Sequence, residues 1–571
     1  MERKIKDIYN RLNSIKKNKL LLSIPWIVGC LVFMIVMVKK GHFSYESNDD
    51  MYLSFIVNGI YGKYYTRNMF NSYPLSWLFS VLYSVSGRYN WTFMYYFLFI
   101  LMSYIAFGIW NIYRNKVIPA YITSILLVVS TFNALITRMN FSKSASIIMA
   151  VGYILFVSSV DNDEPKSRQN TFVRVISYVF IAGGFMIRWD ACLASLPFLV
   201  IMMVYVYYNN GKKVGHLLPF LGIVLSLVLI WGSNYIAYRA DSEWQYWYDY
   251  NKERANMLDY YLADYDEYVE DYEELGISRN DYEALSNWIY ADDDIYNLET
   301  IKEISKISKA HLREYTKITK QNLENGILNC LDIFKNYSVI YVVIFLFVMI
   351  LPLLKGKDAI ALIGVFAVTF GEVLYLTINF RCPERAFYTP ILVLFFVLIF
   401  FMRKVVKENA VMINILLFFM LIYSFYGSNL YCVNRLPGFT YSNKTETIQM
   451  LDELSSREEN LYVWDGHEQD LLRYVYSPAD VPDFGAERNF VMLGGWSVPS
   501  PVMSDRTKPF GEAHNYLKLL SNNDNVFFIT ESGEYLEIIE QYIREHYNPK
   551  VSAELVETIN MYKIYSFAPQ P

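Results

Sequence analysis

Cysteine is scarce and scattered: five residues, Cys30, Cys192, Cys330, Cys382 and Cys432, with no CxxC pair among them. That spacing excludes a disulfide framework and a cysteine-based zinc site. Only Cys382 and Cys432, which the span pattern puts on one side, are placed to pair. Charge is thin as well, at 19% Asp, Glu, Lys and Arg against about a quarter in ordinary soluble domains. A net charge of −5 supplies no basic face, which sets nucleic acid aside as a partner. His42 and His216 stand alone in sequence and give no ligand set. There is no internal repeat, low-complexity tract or glycine-rich phosphate loop.

What fills the chain instead is apolar and aromatic, 54% and 17% of 571 residues, more than a single soluble domain uses. Long runs recur: Leu20–Val38, Trp91–Tyr113, Val117–Ile136, Ala145–Val160, Phe172–Ile187, Ala191–Tyr208 and Leu217–Tyr238. After a polar insert come Tyr337–Leu354, Ala359–Phe380, Tyr388–Met402 and Val411–Gly427. Window length makes these about eleven membrane spans, several of them short. The first follows Arg11, Lys16, Lys17 and Lys19 and ends at Lys39-Lys40 with no small-residue cleavage site, so it is expected to be retained.

Basic residues set the expected orientation. The N-terminal tail, Arg114/Lys116, Lys166/Arg168, Lys212/Lys213, Lys355/Lys357 and Arg403/Lys404/Lys407 share one side if the spans alternate. That side is the cytoplasm of a multi-pass cell-membrane protein, with the N-terminus inside and the C-terminus extracytoplasmic. The loops holding Asp49, Arg138, Arg188 and Arg381 then all face outward.

The chain divides accordingly into an N-terminal membrane module (1–239), an extracytoplasmic insert (240–336), further spans (337–427) and a C-terminal unit (428–571). The first outer loop, 39–90, holds two expected juxtamembrane helices. Tyr52, Phe55, Ile56, Gly59 and Ile60 recur at helical spacing, and Pro74 opens a second helix that stops before Gly87. The insert is rich in Tyr, Trp, Asp and Glu, and Ser278 with Asp281 reads as a capped helix start. Its rings could stack on sugars while its carboxylates accept hydroxyls, or they could pack on the bundle as a cap. DDDIYNLETIKE, from Asp292, has the acids of a calcium loop without the central glycine. The C-terminal stretch alternates helical and strand-like segments and ends in a hairpin pattern, as a small α/β domain does.

Asp49 and Asp50 are the leading candidates for chemistry. Ser47 or Asn48 caps the helix they begin, and acids in a first turn are ordinary. Their position at the mouth of a multi-span bundle, with outer cations to hand, is not. Glu46 stands beside them. Arg138 and Lys143, Arg188 and Asp190, and Arg381, Glu384 and Arg385 bring charge from three further loops to the same side. Guanidinium groups match phosphate oxygens, so these loops point to an anionic ligand.

An acidic pair opening a juxtamembrane helix, the proline-led YPLSWLFSVLYSVSG, the run Arg381, Arg385, Pro390 and the outer C-terminal unit together resemble the GT-C superfamily of membrane glycosyltransferases, which includes protein O-mannosyltransferase-like and aminoarabinose-transferase-like enzymes. The resemblance covers the membrane part by architecture and short motifs by residue. It implies a mainly α, polytopic bundle that moves a sugar from a polyprenyl-phosphate-linked donor to a glycan, lipid or protein acceptor. Asp49 would be the base and Asp50 its helper. Arg138, Lys143, Arg188, Arg381 and Arg385 would bind the donor phosphate, with Glu46, Asp190 and Glu384 in support. The superfamily's pair is typically Asp-Glu or has further metal-binding carboxylates; here it is Asp-Asp, which leaves a divalent cation (Mg or Mn) on Asp49 and Asp50 as an option. A glycan polymerase or ligase, a lipid-linked glycan transporter or flippase, and a non-catalytic surface protein are the rival expectations.

Overall fold

The computed structural model describes residues 19–40, 43–161, 167–379, 381–434, 441–465 and 472–569. In chain order the first helices are α1 (Lys19–Lys40), α2 (Asn48–Asn58), α3 (Tyr73–Val85), α4 (Trp91–Arg114), α5 (Val117–Phe132), α6 (Phe141–Val160), α7 (Arg168–Ile187), α8 (Trp189–Asn209) and α9 (Phe220–Arg239). The insert contributes α10 (Ser242–Leu258), α11 (Val269–Glu274), α12 (Arg279–Ser286), α13 (Leu298–Tyr315) and α14 (Lys320–Asn336). The chain re-enters the bundle as α15 (Ser338–Ile350), α16 (Lys357–Ile378) and α17 (Glu384–Asn434).

Among the described residues, nine helices are long and apolar enough to cross a membrane. Each of the eleven expected segments is helical, but two fall short by length. The α15 helix has 13 residues and bends by 103° from α14, and Val411–Tyr426 is a shorter apolar stretch. The α14–α15 break falls where a polar, amphipathic helix meets a fully apolar one, so the two halves belong to different surroundings.

α17 carries 51 residues without a break in helical assignment, yet it doubles back. Tyr337 packs 4.9 Å from Phe387 and Tyr341 packs 5.9 Å from Tyr423, centroid to centroid. A straight rod would separate Phe387 from Tyr423 by about 54 Å at 1.5 Å per residue. The reversal lies between Arg403 and Val411, where the sequence pattern expects a basic turn.

The bundle is built around α6, which is entirely buried, and the first limb of α17, 89% of whose apolar window is buried. In lipid, helix association draws on close packing more than on the hydrophobic effect. α6 accordingly offers small residues, Ser142, Ser144, Ala145, Ser146 and Ala150. Opposite it, Gly184 of α7 sits so near that an added Cβ would lie 3.1 Å from the Ala145 carbonyl oxygen. Ser146 and Thr389 share a 2.5 Å hydroxyl contact between α6 and α17.

The C-terminal unit has helices α18 (Tyr441–Ser455), α19 (Leu472–Val475), α20 (Pro501–Thr507), α21 (Tyr516–Asn522) and α22 (Leu536–His546). Two short strands lie earlier in the chain, β1 (Ser44–Tyr45) and β2 (Arg138–Met139), and the unit itself holds β3 (Leu461–Trp464), β4 (Phe490–Met492), β5 (Val526–Thr530), β6 (Val551–Ile559) and β7 (Tyr562–Pro569). The last five form one sheet in the order β4-β3-β5-β7-β6, parallel through β5 and closed by the expected antiparallel hairpin.

This unit is docked on both the first loop and the insert. Gly485 and Glu487 donate backbone N–H groups to Gly59 and Ile60. The Asp292 carboxylate, at the start of the calcium-loop-like run, is filled by protein donors: Asn515 Nδ2 at 2.7 Å, the Tyr542 hydroxyl at 2.9 Å and the Tyr547 hydroxyl. Asp293 accepts from Tyr246 and Asp294 from Asn515, so the run pins the insert to the C-terminal unit and does not form a calcium loop. Cys432 lies outside the described side chains, and a pairing with Cys382 lies outside them with it.

Gly494 marks the tightest point of this docking. A Cβ there would fall 2.0 Å from the Trp288 carbonyl oxygen. Gly494→Ala is expected to lower stability by about 1–3 kcal/mol through overpacking, seen as a reduced melting temperature in detergent. Gly232→Ala, where nothing lies within 4 Å, is expected to leave it unchanged.

Candidate active site

The first loop is held against the bundle by a two-residue parallel ladder. Ser44 pairs with Arg138 and Tyr45 with Met139, and the Glu46 N–H reaches the Met139 carbonyl at 3.2 Å. The strand position of Arg138 is delivered by a π-helical turn, Asn133–Thr137, at the end of α5. Such turns re-aim the residue that follows.

Asp50 then fixes α2. Its Oδ2 accepts from the Ser47 backbone N–H (3.1 Å), the Ser47 hydroxyl (2.7 Å) and Asn140 Nδ2 (3.1 Å), and its Oδ1 accepts from the Phe141 N–H (2.7 Å). One carboxylate thus serves the first turns of two helices, α2 and α6. Asp50 is buried, and burial with Glu46 nearby pushes its carboxyl up to about 7 against the relief given by the Phe141 and Ser47 donors. Its oxygens are fully used, which makes it a positioning group.

Asp49 points elsewhere. Its Oδ1 accepts the Trp496 indole N–H at 2.8 Å. Its Oδ2 keeps a 3.7 Å contact with Arg385, too long for a hydrogen bond. Of the expected cations, the structure brings three to this carboxylate's surroundings. Arg188 feels the charges of Asp49, Arg385 and Arg381 together, and burial depresses its own affinity for a proton. It packs against the stacked Phe70 and Phe141 rings, 4.7 and 5.2 Å from their centroids, and pairs with Asp190 at 2.6 Å. Arg381 pairs with Asp259 at 3.1 Å.

Lys143 is held apart from this group. It is fully buried, 2.6 Å from both Glu46 Oε2 and Glu384 Oε1 and 5.2 Å from the Tyr388 ring. Glu46, Lys143 and Glu384 therefore form a triad, centred on the buried lysine, that joins the first loop, α6 and α17. Arg138 stands half-buried on β2.

Several residues at the site have no signal in the local sequence. Trp496, from the glycine-flanked turn after β4, roofs Asp49, and its carbonyl accepts from Trp247 Nε1 (2.7 Å) and Asn251 Nδ2 (2.6 Å) of α10. Arg254, also on α10, is buried against Trp288, pairs with Asp259 at 2.8 Å and lies within reach of the Asp49 charge. All three aqueous parts of the chain meet at Asp49. A doubled glycine, Gly494-Gly495, is the only local hint of the Trp496 turn.

At the opposite end of the bundle another charge cluster gathers. Asp161 takes Arg403 at 2.8 Å and Arg114 at 3.6 Å, Asp358 takes Lys404 at 2.6 Å, and Lys116 reaches the Val406 carbonyl. The two sets of loops separated by the alternation of spans are thus separated in space.

Two outcomes are expected. The fold binds the Asp50 proton more tightly than the unfolded chain does, so this group's stabilising contribution is complete below about pH 4 and lost as pH rises through about 7. The melting-temperature gap between wild type and Asp50→Asn should narrow across that window in a pH series. Lys143→Met strands two part-buried carboxylates and is expected to cost about 2–4 kcal/mol, measured by thermal unfolding in detergent. Compared with known proteins, the chain matches no protein-family model and no curated protein sequence.

Proposed function

We propose that the protein is an integral-membrane glycosyltransferase of GT-C-like architecture, moving a sugar from a polyprenyl-phosphate-linked donor to an acceptor hydroxyl. The observation that carries this reading is the meeting of Asp49 with Arg385, Arg188 and Arg381, from three separate loops, at the end of the bundle away from its basic loops. By the positive-inside rule that end is extracytoplasmic in the cell membrane. Counting α15 and the second limb of α17 as short crossings gives eleven, with the N-terminus inside and the C-terminal unit outside.

The residues suit each half of the reaction. The acceptor oxygen attacks the anomeric carbon while Asp49 Oδ2 takes its proton, and the bond from that carbon to the phosphate oxygen breaks with its electron pair going to phosphate. Charge then grows on the departing lipid phosphate, where fixed guanidinium groups are worth most. Arg385 lies 3.7 Å from Asp49 Oδ2, and Arg188 feels the charges of Asp49, Arg385 and Arg381. Trp496 holds Oδ1, which leaves Oδ2 as the basic atom with a set direction. Asp49 and Asp50 fit a divalent cation poorly as a pair, because the Asp50 oxygens already accept four protein donors. No step here runs through Mg or Mn.

Asp49→Asn is expected to cut transfer in membranes supplied with polyprenyl-phosphate sugars by about 10²–10⁴-fold, with the melting temperature unchanged. Turnover at the wild-type rate would remove Asp49 from the base role.

A further inference from the structure

The insert carries a row of exposed rings for which the transfer step has no use. Tyr260, Tyr261 and Tyr315 are 45%, 40% and 55% exposed. Tyr261 stacks on His311 at 4.8 Å with planes 12° apart, and His311 lies 4.6 Å from Tyr315. The turn after α10 and the end of α13 thereby present one aromatic ladder. His311 is buried within it. Its Nδ1 meets the Tyr268 hydroxyl at 2.9 Å, while its Nε2 has no hydrogen-bond partner among the described residues.

Carboxylates rim the ladder. Glu267 lies 3.6 Å from His311, Asp264 acts on Tyr261, and Glu314 acts on Tyr268. The ladder also adjoins the candidate active site, because Arg381 lies 4.4 Å over the Tyr260 ring while acting on Arg188.

Exposed tyrosines at the end of a membrane bundle serve either the lipid interface or a ligand. A rim of carboxylates repels anionic headgroups but suits a neutral carbohydrate, whose hydroxyls donate to carboxylates while its C–H faces lie on aromatic rings. We propose that the Tyr261–His311–Tyr315 ladder binds the acceptor, and that the acceptor is a neutral glycan chain that reaches Asp49 past Tyr260 and Arg381. The proposal rests on the transferase reading and names its acceptor class.

The full-length protein in detergent micelles would be titrated with cellohexaose, maltohexaose and mannohexaose, without donor. At least one hexasaccharide should bind, and the Tyr261→Ala, Tyr315→Ala double variant should bind it roughly tenfold more weakly. Tyr315→Phe, which keeps the ring, should bind nearly as wild type does. Absence of binding by all three sugars, or equal binding by the double variant, would overturn the proposal. Normal sugar binding by a double variant that is depleted from the membrane fraction would assign the rings to the lipid interface and overturn it too. Because no donor is present, failure here leaves the transferase reading to its own test. Intact hexasaccharide binding with transfer indifferent to Asp49→Asn would defeat the transferase reading alone.

Discussion

The geometry at the Asp49 end depends on where the Asp50 carboxylate finds its hydrogen bonds. A buried carboxylate is costly unless its lone pairs are filled. Asp50 fills them from the starts of two helices at once, Ser47 for α2 and Asn140 and Phe141 for α6. α6 is the most buried helix of the bundle, so the first loop is tied to the bundle's centre. Successive residues on a helix lie about 100° apart. Fixing Asp50 toward α6 therefore turns Asp49 away from it, toward Trp496 and Arg385.

Charge is arranged around that constraint. The Glu46–Lys143–Glu384 triad lies beside Asp50 and ties the first loop and α6 to α17 as well, which ranks it as architecture. The arginines near Asp49 remain partly open: Arg188 pairs with Asp190 and packs on Phe70 and Phe141, Arg381 pairs with Asp259 and packs on Tyr260, and Arg385 faces Asp49 at 3.7 Å. The insert and the C-terminal unit close over them through Trp496, Trp247 and Asn251. The aqueous parts thus act as walls of one site, and the docking of Asp292 into the C-terminal unit keeps those walls in register.

Much of this was legible in the sequence, for local reasons. Apolar runs gave every bundle helix, because length and hydropathy are properties of contiguous residues. The juxtamembrane helix at Pro74, the strands Leu461–Trp464 and Val526–Thr530 and the terminal hairpin were likewise written in period and turn chemistry. The span count was less secure, since α15 and Val411–Tyr426 are apolar but short. Length alone does not say whether such a helix crosses or stops.

The amino-acid sequence by itself determined that helices dominate, which loops share a side, and that Asp49, Asp50 and the arginines of three loops fall at one end. Only the tertiary structure decided their roles. Asp50 has the same chemistry as Asp49, and Lys143 the same charge as Arg385; what separates the members of each pair is which donors and carboxylates the fold brings close. Trp496, Arg254 and Asp259 reach the site from distant segments. Contacts across hundreds of residues depend on how whole helices and the sheet pack, and no local pattern carries that information.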